Sequence, residues 1–530
     1  MRMFLTVPYA EPPRRFERSY EKQPWRGTIE ANRPTTGCTQ VGFLPPGNTN
    51  IRPDSAEDCL YLKISAPSGA RRGLPSLLWP HGGGFNGGNS DYDHDAQCDH
   101  LISKGVIVVN TNYRVGPFGF FSTGTADAPG NYALWDHLNA LKFLRRVVGS
   151  FGGDPNNIVL AGQGAGGVMS NSLTFSPLAK GLYSKALTLG ASPFMPAVSE
   201  ARHAYLDKNR RFAVAAGCAT DSGWAAGDFG PIVACLKAKS LQELVEAHVP
   251  VGKGRSMFWH MIPDGPDGLW PRDLEQLGWD RPNVPVVTGT NRDEYGWDLL
   301  AAPSLRSRNL NADMGKLDSR QQVVETCNKV VRQENYPSTF GYVRDACVAR
   351  YADDASTNQR EGFLKRAVRV GSTVNYHRPI ARDVELYLRN GNSRVYLYSF
   401  DFRRNDSHPW WRAAGTFHNL DLAYLENFLV DSPKASPYYF DRESGRDGQM
   451  TRIWGEILAS FAKTGRPSLP NEQSSRFVAR GRGRGFRHRG WRMFPLYSVN
   501  YMSLDVPPRM KMFETFQEED LSFWNGFAQI

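Results

Sequence analysis

The stretch NIVLAGQGAGGVMSNSL at 157–173 runs from apolar, β-branched residues through a glycine cluster into a helix-compatible segment. A strand that turns at once into a helix through G-x-S-x-G lifts a serine hydroxyl above a sheet and aims it at a substrate carbonyl. Gly162, Gln163, Ala165 and Gly166 fit that pattern, and its central position is Gly164. Glycine-rich strand-to-helix turns also cradle phosphates, so this stretch alone leaves both chemistries open. A second glycine run, PHGGGFNGG at 80–88, directly follows an apolar segment. Consecutive residues without Cβ atoms let backbone N–H groups approach a developing oxyanion, although such a run also serves as a plain flexible turn.

Elements able to position these loops recur along the chain. Apolar runs at 61–64, 74–80, 105–113, 157–162, 185–190, 284–289 and 394–400 are continuous rather than alternating, which predicts strands covered on both faces. Within 131–148, Leu134, Leu138, Leu141, Leu144 and Val148 step by three and four and form one apolar helical stripe. Helical periodicity also marks 361–390 and 449–463, the latter stopped by Gly465 and Pro467. Repeated strand-then-helix order predicts an α/β fold, with a large, mainly parallel central sheet and helices on both faces. With no internal repeat and no long linker, the pattern predicts one domain over 1–530.

Composition narrows the function classes. At 41% hydrophobic and 22% charged, the chain has material for a large core, which excludes disordered, collagen-like and coiled-coil classes. No apolar run approaches the roughly 20 residues of a membrane helix. The formal charge is +10, yet seven arginines with no acid among them lie within 476–492, leaving +3 for everything else. The tract RFVARGRGRGFRHRG at 476–490 is similar to RGG-type RNA-binding segments, but its short length and two aromatics favour a solvated Arg/Gly-rich loop insertion over nucleic-acid binding. None of the seven cysteines forms a C-x-x-C pair, so no metal is indicated, and no cofactor is called for.

Further motifs stand in order: VPYAEPP (7–13), EDCLYLKI (57–64), NYRVGPFGFF (112–121), PGNYALWDH (129–137) and FGGDPNNI (151–158). With the two glycine runs, they strongly resemble the type-B carboxylesterase and cholinesterase family over nearly the whole chain. The resemblance implies an α/β-hydrolase fold and a nucleophile–acid–histidine triad. It puts the acid at Glu294, in VVTGTNRDEYG (286–296), and the base at His418, in GTFHNLDLAYLENF (415–428). The implied oxyanion donors are the N–H groups of Gly83, Gly84 and Ala165.

The departures from that family matter as much. Acyl transfer needs a hydroxyl for the histidine to deprotonate, and Gly164 has no side chain. Ser170 and Ser172 lie about 9 and 12 Å further along the helix in axial rise and are not expected to substitute. The family often has Ser-Gly where this chain has Gly190 and Ala191. Glycine at the elbow centre is similar to the neuroligin-like adhesion proteins of the same family, which work by binding. The expectation is therefore a carboxylesterase-like protein without catalysis that binds a protein partner or a small ester-like ligand. The alternative is an ester hydrolase of low or atypical activity.

The resemblance also implies disulfides Cys38–Cys59 and Cys218–Cys235, with Cys327 and Cys347 as a third candidate pair and Cys98 left over. Each would close a loop worth about 3 kcal/mol in the chain-entropy model. Asn405, in N-D-S, is a glycosylation sequon. These features imply a secretory-pathway or extracellular protein. The N-terminus lacks the apolar core of a signal peptide, so truncation relative to the family is expected, with a cytoplasmic protein as the alternative. Because 476–490 is polar and glycine-rich, its deletion is expected to leave the melting temperature unchanged. A fall of many degrees contradicts the loop-insertion assignment.

Overall fold

Neighbouring apolar residues in one strand must face opposite sides of a sheet, so each continuous run needs two packed layers. The computed structural model describes residues 1–34, 36–40, 51–69, 72–92, 94–252, 259–301, 317–353, 362–403, 415–426, 445–469, 501–511 and 516–527. The strands of its large sheet are β1 (Arg2–Pro8), β2 (Tyr61–Ala66), β3 (Leu74–Pro80), β4 (Ile107–Thr111), β5 (Gly153–Gln163), β6 (Lys185–Leu189), β7 (Val286–Asn291), β8 (Val395–Phe400), β9 (Tyr501–Leu504) and β10 (Arg509–Lys511). They form one ten-stranded sheet in the order β1-β2-β4-β3-β5-β6-β7-β8-β9-β10. Pairing is parallel from β4 through β9 and antiparallel at β1–β2, β2–β4 and β9–β10. This is the α/β-hydrolase architecture that the sequence predicts.

The two faces are visible residue by residue. Leu78, Ile107, Val109, Ile158 and Leu160 pack into one apolar cluster with Leu134, Leu138, Leu141 and Leu144 of helix α1 (Tyr132–Val147). Their strand neighbours Leu77, Val108, Val159 and Ala161 pack into another, with Trp454, Ile457, Leu458 and Phe461 of a helix at Gly445–Thr464. The segment expected as one helix at 361–390 is interrupted. It runs as Phe363–Ser372, a π-helical turn at Thr373–His377, and then Arg378–Arg389. Cys38–Cys59, Cys218–Cys235 and Cys327–Cys347 are disulfide-bonded, while Cys98 is free. Asn405 and the tract at 476–490 lie outside the described residues. No helix of the described residues is long and apolar enough to cross a membrane.

One buried charge pair ties the helix after the glycine elbow, α2 (Gly164–Thr174), to the helix Arg378–Arg389. The Arg281 guanidinium and Asp383 carboxylate meet at 2.5 Å, both side chains wholly buried. Arg281 also donates to Asn171 Oδ1 at 2.9 Å and Thr174 Oγ1 at 2.7 Å, and Asn171 donates to Asp383 at 2.6 Å. Its guanidinium lies 3.9 Å from the ring centre of Phe175 and 3.4 Å from that of Tyr387. Removing one member strands the other charge in the core. Asp383→Ala is therefore expected to lower unfolding free energy by about 3–5 kcal/mol, measured by urea denaturation. A loss below about 1 kcal/mol contradicts this anchoring role.

Candidate active site

Strand β5 ends at Gln163, and α2 begins at Gly164 with no intervening loop. The approach is too close for side chains on either flank. A Cβ at Gly162 would stand 2.6 Å from the Gly166 carbonyl, and one at Gly166 would stand 2.1 Å from the Pro80 oxygen. Gly164 itself has φ +56°, a left-handed conformation that residues with a Cβ adopt at a penalty. The first N–H groups of α2 face the turn, with Ala165 buried directly after it.

The second glycine loop leaves β3 beside this turn. Buried His81 stacks on Tyr113 with ring centres 4.3 Å apart, and the Tyr113 hydroxyl donates to the His81 carbonyl at 2.8 Å. Burial pushes the His81 imidazole down to about 4, so it stays neutral. Gly83, Gly84 and Phe85 all have positive φ, at 106°, 61° and 64°. His81 and Tyr113 thus hold the root of a loop whose glycines take turns that side chains disfavour.

Glu294 and His418 come together although 124 positions separate them. The His418 Nδ1–H donates to Glu294 Oε2 at 2.7 Å, and the His418 backbone N–H donates to the Glu294 carbonyl at 3.1 Å. The other carboxylate oxygen accepts from the Asn291 N–H at 2.8 Å, at the end of β7. Asn291 Nδ2 donates to the Phe417 carbonyl at 3.0 Å and to Asp421 Oδ1 at 3.1 Å, which binds the two loops further. Glu294 is wholly buried and His418 is 8% exposed.

Electrostatics favour a proton on this pair. Burial opposes charge on His418, but the Glu294 charge and hydrogen bond outweigh it, with Asp421 and Asp298 adding, so its pKa is raised. Asp421 is pushed up to about 6 by burial and by the Glu294 charge. The Tyr376 ring, carried by the π turn, sits 5.2 Å from the imidazole.

Both sequence departures face this pair. A Cβ built on Gly164 would lie 2.9 Å from His418 Nε2. Gly190, with φ +55°, would aim a Cβ at Glu294 Oε1 at 2.8 Å and at His418 Nδ1 at 3.4 Å. Ser170 is engaged elsewhere, donating to the Ala161 carbonyl at 2.7 Å, and both Ser170 and Ser172 are buried. Sequence reasoning missed the contact of Gln163 with His418 and the supporting Asn291, Asp421 and Tyr376. Gln163, Asn291 and Asp421 all lie inside motifs that the sequence shows, at 162–166, 286–296 and 415–428, whereas Tyr376 lies outside them.

A sequence model of the carboxylesterase family matches residues 1–524. The chain belongs to that family. It is 28% identical to gut esterase 1 of Caenorhabditis briggsae over 553 residues, covering 99% of this chain and 90% of the relative. It is 27% identical to the acetylcholinesterase of Danio rerio over 571 residues, covering 99% and 84%. A third relative, the acetylcholinesterase of Bungarus fasciatus, is 27% identical over 545 residues, covering 99% and 82%.

The paired carboxylate makes a prediction for His418. With Glu294 present, the imidazole should titrate above the ordinary 6.5. Glu294→Gln removes the charge and leaves burial dominant, so the titration midpoint should drop below that value in imidazole NMR. Because the pKa is raised on folding, the protonated ring stabilises the protein below the ordinary imidazole value. That stabilisation fades as pH rises through the raised one, and the variant should lose this slope. An unchanged midpoint contradicts the pairing.

Proposed function

We propose that this carboxylesterase-family protein does not turn over esters and acts by binding a protein partner or a small ester-like ligand around Gly164. The observation that carries the proposal is Gly164 itself. Where the family resemblance calls for a nucleophile, the chain has no side chain, and the His418 ring lies 2.9 Å from where a Cβ would stand. Without a hydroxyl, the Glu294–His418 pair has nothing to activate for acyl transfer. The backbone N–H groups of Gly83, Gly84 and Ala165 would remain free to hold a ligand oxygen.

An ester hydrolase of low or atypical activity is the alternative. It draws support from the intact 2.7 Å contact between His418 and Glu294 and from relatives named as esterases. In a well-studied serine protease, loss of the nucleophile lowers turnover about 10⁶-fold, so the two proposals differ widely in rate. Three disulfides support a protein made in an oxidising, secretory compartment. One domain with an Arg/Gly-rich insertion at 476–490 is part of the same proposal.

Hydrolysis of p-nitrophenyl acetate tests the proposal. The unmutated protein should show no rate above that of its His418→Ala variant, and Gly164→Ser should gain a rate that depends on His418. The new side chain must adopt the left-handed turn, so Gly164→Ser should also lose about 1–3 kcal/mol of stability. His418-dependent hydrolysis by the unmutated protein overturns the non-catalytic assignment.

A further inference from the structure

Gln163 is the last residue of β5, only 2% exposed, and its side chain points at the catalytic-type histidine rather than away from it. The carboxamide nitrogen lies 3.2 Å from His418 Nε2. On the other side, a Cβ built on Gly82 would come within 3.6 Å of the Gln163 Oε1, so the amide fills the space between the glycine loop and the imidazole.

The chemistry of the partners sets the direction of the bond. Glu294 is a carboxylate at 2.7 Å from Nδ1, and an ionised carboxylate has no hydrogen to give, so the ring hydrogen of the neutral form sits on Nδ1. The Nε2 lone pair is then an acceptor, and the Gln163 NH₂ is the donor that meets it. That lone pair is the one a nucleophile's hydroxyl would otherwise address. A carboxamide also offers an acceptor oxygen, so after protonation of the ring the same side chain can turn over and accept from Nε2–H. A hydroxyl on a serine at 164 would compete for this position, because the ring already stands where the Cβ needs room.

We propose that Gln163 is a positioning residue that stands in for the missing nucleophile: its carboxamide satisfies His418 Nε2 and holds the imidazole seated over the empty elbow. What Gln163 replaces rests on the proposal that Gly164 is a lost nucleophile position, whereas the contact itself does not. The groups facing His418 are then Glu294 on Nδ1, Gln163 on Nε2, the Tyr376 ring, and the more distant carboxylates Asp421 and Asp298.

An N–H···N hydrogen bond transmits a scalar coupling between its two nitrogens, so the unmutated protein suffices for the test. With ¹⁵N-labelled Gln and His, and His418 resonances assigned by their loss in His418→Ala, the neutral ring should show a coupling between its Nε2 and a Gln side-chain nitrogen that disappears in Gln163→Glu. Absence of that coupling in the unmutated protein, at a pH where the ring is neutral, overturns the proposal. Gln163→Glu supplies a second readout, since a carboxylate at this place accepts only from the protonated ring. The proton affinity of His418 should rise at least tenfold, and an unmoved affinity contradicts the placement of residue 163 against Nε2. Ester hydrolysis by the unmutated protein would sink the non-catalytic assignment and leave the coupling to decide the role of Gln163.

Discussion

The turn from β5 into α2 admits no Cβ at Gly162 or Gly166 and demands a left-handed backbone at Gly164. The rest of the site follows from that constraint. The two flanking glycines let the helix start against the sheet, where Pro80 and His81 of the neighbouring strand end press on it. The helix is then fixed at its far end by Asn171 and Thr174, which bond to the buried Arg281. A serine at 164 would bear the conformational penalty for a hydroxyl, and a glycine bears none. The geometry of the elbow is therefore set by the flanking glycines and is compatible with glycine at 164.

Around that turn, the groups that support the imidazole differ from the positions that face it. The supports are intact: His418 to Glu294, Glu294 to Asn291, and Asn291 to the carbonyl of Phe417. The positions that would touch the imidazole from outside this chain of bonds are both glycine, at 164 and 190. Among the described residues, the ring is hydrogen-bonded to Glu294 at Nδ1 and meets the Gln163 amide at Nε2. A buried imidazole left without a partner there would carry the desolvation penalty of an unsatisfied nitrogen, about 1–3 kcal/mol. The amide removes that penalty without supplying a nucleophile.

Much of this was legible in the chain. The strands from β2 to β8 announce themselves as continuous apolar runs, because burial on both faces leaves no polar alternation. β1, RMFLTVP, lies at the sheet edge with its first two residues exposed and one of its seven fully buried, and β9 and β10 span four and three residues, so none has a run long enough to register. Glu294 and His418 were found through motif register, not through any property of a lone glutamate or histidine. The π turn at Thr373–His377 and the Gln163–His418 contact were not legible. The first interrupts an otherwise unbroken helical periodicity, and the second joins residues 255 positions apart. Such contacts arise from where the strands end, which periodicity does not encode.

The proposed binding role requires that no group beside His418 act as an acylatable nucleophile. The most direct measurement is intact mass spectrometry of the unmutated protein after incubation with an excess of a fluorophosphonate, which forms a stable adduct with an activated hydroxyl. The unmodified mass is expected, with a single phosphonyl adduct once serine is introduced by Gly164→Ser. A stoichiometric adduct on the unmutated chain, mapped to any residue beside His418, would contradict it.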